Sequence, residues 1–467
     1  MSFDSLTYII FLPAVCVTHW LCPSGYRWII LLLSSYVFYM SWNAGLSLLI
    51  FSVTLLSWLC GLVLEKEQRP FLRRFVLTCA VLLCLTLLGF FKYWNFLGSA
   101  VSALFGRTWQ IREIILPVGI SFYTFQAMSY VMDVYRGKMR AERHLGYYAL
   151  YISFFPQLVA GPIERADRLL PQLRRDRHFA PEDLSAGLRL ILSGFFRKLA
   201  CADLMAGCVD AVYRSHSPDG SAVALATLLF GLQIYCDFSG YSEIASGSAR
   251  LLGIRLMRNF DRPYLAPDIR AFWRRWHISL TDWFTDYVYI PLGGSRRGLL
   301  RQLFASTAVF ALCGLWHGAD WSFLVWGLVH ACLMALHTLI THFQVRQLPR
   351  PLSHALTFLS VNFAWLFFRA GSMDRAVSFL TRLFSPWNLK EGVRLLLSTQ
   401  TRAVPAPVLL LLLASVLLCL RRLPSMAWEE ERETDITAWA GILLAVVIAT
   451  LIRMDSGTAN AFIYFQF

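Results

Sequence analysis

Apolar runs long enough to cross a membrane follow one another along nearly the whole chain, and they restrict the fold more than any other feature. A membrane helix needs about 20 mostly apolar residues. The candidates are 6–22, 28–43, 45–64, 75–91, 114–134, 185–213, 220–240, 300–317, 321–342, 353–369, 404–420 and 437–453. Composition agrees, with 57% of the 467 residues hydrophobic and only 15% charged, against about 45–50% and about 25% in soluble domains. Too few charges remain to cover several soluble domains. The same figures exclude disorder, the 28 glycines exclude collagen, and the length excludes a disulfide-stapled scaffold. The expected fold is all-α and polytopic, with about 11–12 transmembrane helices in one membrane domain spanning 1–467.

The stretch 145–163 is apolar but broken by Pro156, Gly161 and Pro162. Broken backbone at membrane depth survives only where protein or water satisfies it, so this piece is expected to be re-entrant. Basic residues gather in the loops: Lys66, Arg69, Arg73 and Arg74; Arg136, Lys138, Arg140 and Arg143; Arg165, Arg168, Arg174, Arg175 and Arg177; the long stretch 250–301; Gln344–Arg350; and Arg421–Arg422. If 145–163 enters and leaves by one face, nearly all of these loops are cytoplasmic. The chain opens Met-Ser-Phe-Asp and reaches its first basic residue at Arg27. A cleaved secretory signal carries positive charge before its apolar stretch. The first segment is therefore expected to be retained, with the N-terminus outside a bacterial cytoplasmic (inner) membrane.

The net charge of +14 is explained by these loops, and no basic stripe lies on a soluble element, so nucleic acid is not expected as a partner. Membrane lipid is. The 11 cysteines lie mostly in apolar runs, as Cys79, Cys84, Cys313, Cys332 and Cys419 do, and no CxxC pair occurs. They read as small apolar residues, and no metal site is expected. No internal repeat stands out. The sizeable non-spanning pieces are 164–184, 250–299, 370–403 and 421–436.

Polar residues inside spans are costly and are functional candidates by default. Asp237 and Glu243 close the apolar segment Gln233-Ile-Tyr-Cys-Asp-Phe-Ser-Gly-Tyr-Ser-Glu243. They could do acid–base work or bind substrate. The plainer reading is that they cap a helix end and pair with Arg250, Arg255 or Arg258, since buried carboxylates are usually paired. His277 lies in Ala-Phe-Trp-Arg-Arg-Trp-His-Ile-Ser-Leu. If 270–289 is one helix, Trp273, Trp276, His277, Leu280, Trp283, Phe284 and Tyr287 share a face, with Arg274, Arg275 and Asp282 toward another. That pattern describes an interfacial helix, and on it His277 reads as a hydrogen-bonded residue rather than a catalyst. His317 sits in Gly314-Leu-Trp-His-Gly-Ala-Asp-Trp. Flanking glycines permit close backbone approach, which leaves room for a substrate. An imidazole there can take a hydroxyl proton and return it, and a satisfied core histidine is the equal alternative. His330, His337 and His342 lack such neighbours and read as structural; His330 and His337 share a face, but a metal would need further ligands.

With these residues in hand, the chain resembles the membrane-bound O-acyltransferase family, in particular its bacterial branch typified by the alginate O-acetyltransferase membrane subunit. The blocks that carry the resemblance run in order from 116 to 370. They include Leu116-Pro-Val-Gly-Ile-Ser-Phe-Tyr, Phe155-Pro-Gln-Leu-Val-Ala-Gly-Pro-Ile, Gly194-Phe-Phe-Arg-Lys, Tyr235-Cys-Asp-Phe-Ser-Gly-Tyr-Ser, Asn259-Phe-Asp-Arg-Pro-Tyr, Phe272-Trp-Arg-Arg-Trp-His-Ile-Ser-Leu, Gly314-Leu-Trp-His-Gly-Ala and Trp365-Leu-Phe-Phe-Arg-Ala. The N-terminal spans fit more loosely, and the part after 370 hardly discriminates.

The resemblance implies a ring of helices around a thin partition, with a central funnel near a histidine. That histidine carries over to His317, and a second family histidine to His277. Trp316, Trp276 and Asp237 are carried with them as substrate-binding candidates. Hydropathy alone puts His317 near the outer end of its span, whereas the resemblance puts it inside the membrane. The implied reaction moves an acetyl group from a cytoplasmic thioester, acetyl-coenzyme A, to an exported or cell-wall polysaccharide, with no tightly bound cofactor. His317 would be general base or a transiently acylated nucleophile, and His277 would help orient the donor. A secreted or membrane-tethered acetyltransferase is the expected partner. Transfer of D-alanyl groups to teichoic acid-like polymers is the alternative, and a non-catalytic lipid or glycan transporter ranks below it, since the internal repeats frequent in transporters are absent. The chain has Thr285 where the family often has Arg and Ser295 where it often has Asn; both lie outside the histidine blocks and bear on local surface or partner contacts.

Overall fold

The structure, a computed structural model, describes residues 1–159, 161–345 and 348–397, with isolated helical positions between 439 and 450. The expected span 404–420 and much of 437–453 lie outside the described residues. No strand occurs among the described residues, as an all-α membrane chain requires.

Six described helices are long and apolar enough to cross a membrane: Ala44–Lys66, Pro70–Leu104, Gly220–Leu251, Leu299–His317, Trp321–His342 and Arg350–Ala370. Leu6–Leu21 is a shorter apolar helix. Two further expected spans come out shorter than about 20 residues, as Arg27–Met40 and Ile120–Tyr135. The second is cut back because 107–118 is not helical, with Pro117 and a left-handed Gly119 (φ 73°) marking its start. Two others lengthen: 75–91 becomes part of Pro70–Leu104, and 220–240 part of Gly220–Leu251. The surfaces of these helices leave large apolar side chains uncovered, among them Leu6, Leu21, Leu48 and Leu300 at 69–83% exposure. Exposed grease on this extent suits lipid as the surrounding solvent.

The chain divides into two compact units, Met1–Leu188 with Ala245–Met257, and Arg189–Ile244 with Arg258–Phe467. In the first, Gly61 lies against Tyr130, where a Cβ would come within 2.5 Å of the phenol oxygen. The broken stretch forms two short helices, Leu145–Ser153 and Phe155–Leu158. Its backbone breaks are satisfied by protein: Phe155 N–H donates to Ser35 Oγ (3.1 Å), and Gln157 Nε2 donates to the Tyr151 carbonyl (2.7 Å).

In the second unit, Leu299–His317 and Trp321–His342 pack back to back through glycines. A Cβ on Gly314 would meet the Phe323 carbonyl oxygen at 2.3 Å, and one on Gly327 the Phe310 carbonyl oxygen at 2.2 Å. Only glycine permits so close an approach. The expected single helix over 270–289 is replaced by Ile269–Trp273, Ile278–Phe284 and a π-helical turn, Thr285–Tyr289. The break falls at His277, in the left-handed region with φ 44° and ψ 55°. The apolar face survives it, since Trp273, Trp276, His277, Leu280, Trp283, Phe284 and Tyr287 are all buried.

Candidate active site

The glycine-mediated packing of its two helices sets His317. It is the last residue of Leu299–His317; Gly318 then turns to extended backbone, and Asp320 caps the next helix by accepting from Ser322 N–H at 2.8 Å. His317 is 4% exposed. Its ring stands edge-on to Trp316 (4.8 Å between centroids), Trp326 (5.0 Å) and Phe368 (5.4 Å). The residue is thus enclosed by protein at the end of its span.

His277 is held from its own backbone outward. Its carbonyl accepts from Leu280 and Thr281 N–H (both 3.0 Å), which starts Ile278–Phe284. The neighbouring Ile278 N–H donates to the Asn259 carbonyl at 2.9 Å, and Asp261 N–H to the Arg275 carbonyl at 2.9 Å, so the loop 259–261 clamps the break. A left-handed backbone at a bulky residue is unfavourable and persists only when its surroundings over-determine it; such residues gather at functional sites. The imidazole is fully buried, between Phe238 (4.7 Å), Phe260 (6.4 Å) and Trp316 (5.8 Å), with Nδ1 3.2 Å from Asn259 Oδ1. Burial pushes its pKa down to about 3, so it is neutral near pH 7.

The structure therefore places both histidines against one indole, that of Trp316, which is itself 5% exposed. Trp276 lies deeper. It is fully buried, stacked on Phe272 (5.6 Å, 17°) and against Trp365 (5.1 Å). Trp365 in turn stacks on Trp326 (5.6 Å, 22°), the neighbour of His317. Rings thus run without interruption from Trp276 to His317, and aromatic contacts of this kind give a rigid wall.

Asp237 does not close a helix, because Gly220–Leu251 runs on through it. Its carboxylate pairs with Lys198 Nζ at 2.8 Å, and Lys198 also meets Asp203 at 2.8 Å. Glu243 pairs with Arg197 at 3.2 Å and accepts from Ser193 Oγ at 2.7 Å. Arg197 further donates to Ser239 Oγ at 2.8 Å. The ion pairs are made with Arg197 and Lys198, in the π-helical turn Phe196–Ala202, and Glu243 also acts electrostatically on Arg258, one of the arginines expected from sequence. Both cations are 1% exposed. Two adjacent cations inside an otherwise apolar run were the signal for this network. Phe238, next to Asp237, reaches His277 with its ring.

His330 is buried and accepts from Trp273 Nε1 at 3.4 Å, while His337 stands 3.9 Å from Asp268. No group of three metal-ligating side chains occurs among the described residues. A cavity of about 350 Å³ is lined by Arg270, Trp273, Arg274, Phe284, Phe310 and Cys313 among others, though by neither histidine. Thr285 and Ser295, the two departures from the family pattern, line it as well. Two of its lining residues are linked to the histidines through neighbours: Cys313 is one helical turn before His317, and the Trp273 ring is 5.9 Å from Trp326.

A model of the membrane-bound O-acyltransferase family matches residues 142–373, which include both histidines. The probable alginate O-acetylase of Pseudomonas putida is 33% identical over 491 residues, covering 100% of both chains. That of Azotobacter vinelandii is 36% identical over 405 residues, covering 84% of this chain and 80% of its own. The peptidoglycan O-acetyltransferase of Helicobacter pylori is 29% identical over 481 residues, covering 94% and 91%.

Proposed function

Because the chain belongs to the membrane-bound O-acyltransferase family, and is thereby a multi-pass membrane O-acyltransferase, we propose that it acetylates an exported or cell-wall polysaccharide with acetyl groups drawn from cytoplasmic acetyl-coenzyme A. The observation that carries the reading is the pairing of His317 and His277 on one buried indole, with a cavity that has arginines in its wall formed by the same helices. The relatives' names support an acetyl group and a carbohydrate polymer, since alginate and peptidoglycan are both of that class.

In this reading the thioester enters the cavity with its phosphates near Arg270 and Arg274, whose guanidinium groups suit phosphate oxygens. Trp316 bounds the reacting carbonyl, while Trp276 and Asp237 hold the wall behind it. His317 takes the proton of the accepting hydroxyl as that oxygen attacks the carbonyl carbon, then returns it to the departing thiolate. His277 orients the donor. A histidine only 4% exposed receives a small acyl group more readily than a polymer chain. That supports handing the group to a separate secreted or membrane-tethered acetyltransferase, which completes the transfer. The basic loops support a bacterial inner membrane with the N-terminus outside.

Acetate released by mild base from isolated surface polysaccharides tests the reading, in wild type, a deletion strain and His317→Ala. The expected result is loss of acetate from one polymer in both mutants. Unchanged acetate in every fraction would overturn it and direct the assay to released alanine.

A further inference from the structure

The hydrogen bonds around Asn259 determine more than the position of His277. Asn259 Oδ1 faces three groups: the backbone N–H of Ser279 (3.3 Å), the Ser279 hydroxyl (2.9 Å) and His277 Nδ1 (3.2 Å). Its Nδ2 faces Ser242 Oγ at 3.3 Å. The ambiguity between oxygen and nitrogen in an amide side chain is settled here by chemistry. A backbone N–H can only donate, so the atom facing Ser279 N–H must be the oxygen. An amide oxygen can only accept, so whatever faces it from His277 must donate. Nδ1 therefore carries the proton.

We propose that Asn259 is a positioning residue that fixes His277 as the Nδ1–H tautomer, leaving Nε2 an obligate hydrogen-bond acceptor toward an O–H or N–H group of the substrate. Three observations meet in this assignment. Nε2 is buried and has no hydrogen-bond partner among the described residues, and a buried polar atom left so is costly unless a bound molecule supplies the missing donor. The ring cannot turn over easily, since Phe238, Phe260 and Trp316 enclose it. The backbone at His277 is left-handed, and Asn259 clamps it too, through its own carbonyl and Ile278 N–H (2.9 Å). One asparagine thus holds both the backbone and the tautomer. The chemical consequence is a choice of roles: an acceptor nitrogen engages a hydroxyl or amide N–H and cannot donate to a developing oxyanion. The substrate contact rests on the proposed function; the tautomer does not.

The test begins on the wild-type protein, purified whole in detergent micelles with nitrogen-labelled histidine, the His277 signals being assigned by their loss in His277→Gln. The nitrogen shifts should show Nδ1 protonated and Nε2 bare. A protonated Nε2 would overturn the assignment. Two variants then separate positioning from mere folding. Asn259→Asp keeps an acceptor facing Nδ1 and Ser279, and should retain the tautomer and most of the acyl-transfer rate. Asn259→Leu removes the acceptor, and should give mixed tautomers and a kcat lower by about 100-fold, the scale at which misplaced catalytic geometry is felt, with KM changed much less. Mixed tautomers with an unchanged kcat in Asn259→Leu, or equal losses in the Asp and Leu variants, would contradict the positioning role. Full activity in His277→Gln would instead count against the proposed function and leave the tautomer standing.

Discussion

His277 shows how much a single residue can carry that its neighbours in sequence do not announce. The sequence pattern points to it as one member of an aromatic helical face, and the resemblance marks it as a functional histidine. Neither shows that it breaks the helix with a φ of 44° or that Asn259, itself bonded to Ser279, holds it. Asn259 lies 18 residues away in irregular backbone, and no periodicity relates it to His277. Its burial has a measurable consequence for stability. The folded protein keeps the imidazole neutral down to about pH 3, whereas the unfolded chain takes up a proton near the ordinary value of about 6.5. The unfolded state binds more protons in that window, so stability is full above it and declines as pH falls from about 6.5 toward 3. Replacing His277 by Gln, which does not titrate, is expected to flatten that decline in thermal unfolding of the solubilised protein. An acid slope identical to that of the wild type would contradict the assignment of its burial.

Among the elements, legibility depended on whether one period could represent the segment. Leu299–His317, Trp321–His342 and Arg350–Ala370 coincide closely with the expected spans, because each is one uninterrupted apolar helix. The region 270–289 differs, since two short helices in phase bury the same residues as a single long one. The π-helical turn Phe196–Ala202 was also hidden within an apparently continuous span. There the extra residue per turn sets Arg197 and Lys198 against carboxylates of Gly220–Leu251. Carboxylates that read as a helix cap are therefore interior charges paired across helices. Removing Arg197 leaves Glu243 to Ser193 and the field of Arg258: Arg197→Met is expected to destabilise the protein by at most about 3–5 kcal/mol. Adding Glu243→Leu should recover most of that loss, because the pair together contributes little net stability. Denaturation of the single and double variants in one detergent checks this. A double variant as unstable as the single would show that Arg197 acts through Ser239 and Tyr235 instead.

For the molecule as a whole, composition and run length were sufficient to identify a membrane chain, because lipid leaves few solutions other than helices. The number and length of crossings were less legible. Segments such as 28–43 and 114–134 are apolar over more residues than are helical, since hydropathy records solvent preference rather than backbone geometry. The candidate histidines could be named from their sequence blocks, whereas the cavity could not: its lining comes from residues between 270 and 338 that only the fold assembles. The proposed reaction requires that an acyl group move from one face of the membrane to the other by way of His317. Purified protein sealed into vesicles, with radiolabelled acetyl-coenzyme A confined to the face bearing the basic loops, measures that movement. The account predicts label, as acetate or acetyl ester, accumulating on the opposite face with the wild-type protein and none above protein-free vesicles with His317→Ala. Equal accumulation with a folded, inserted His317→Ala protein would contradict it.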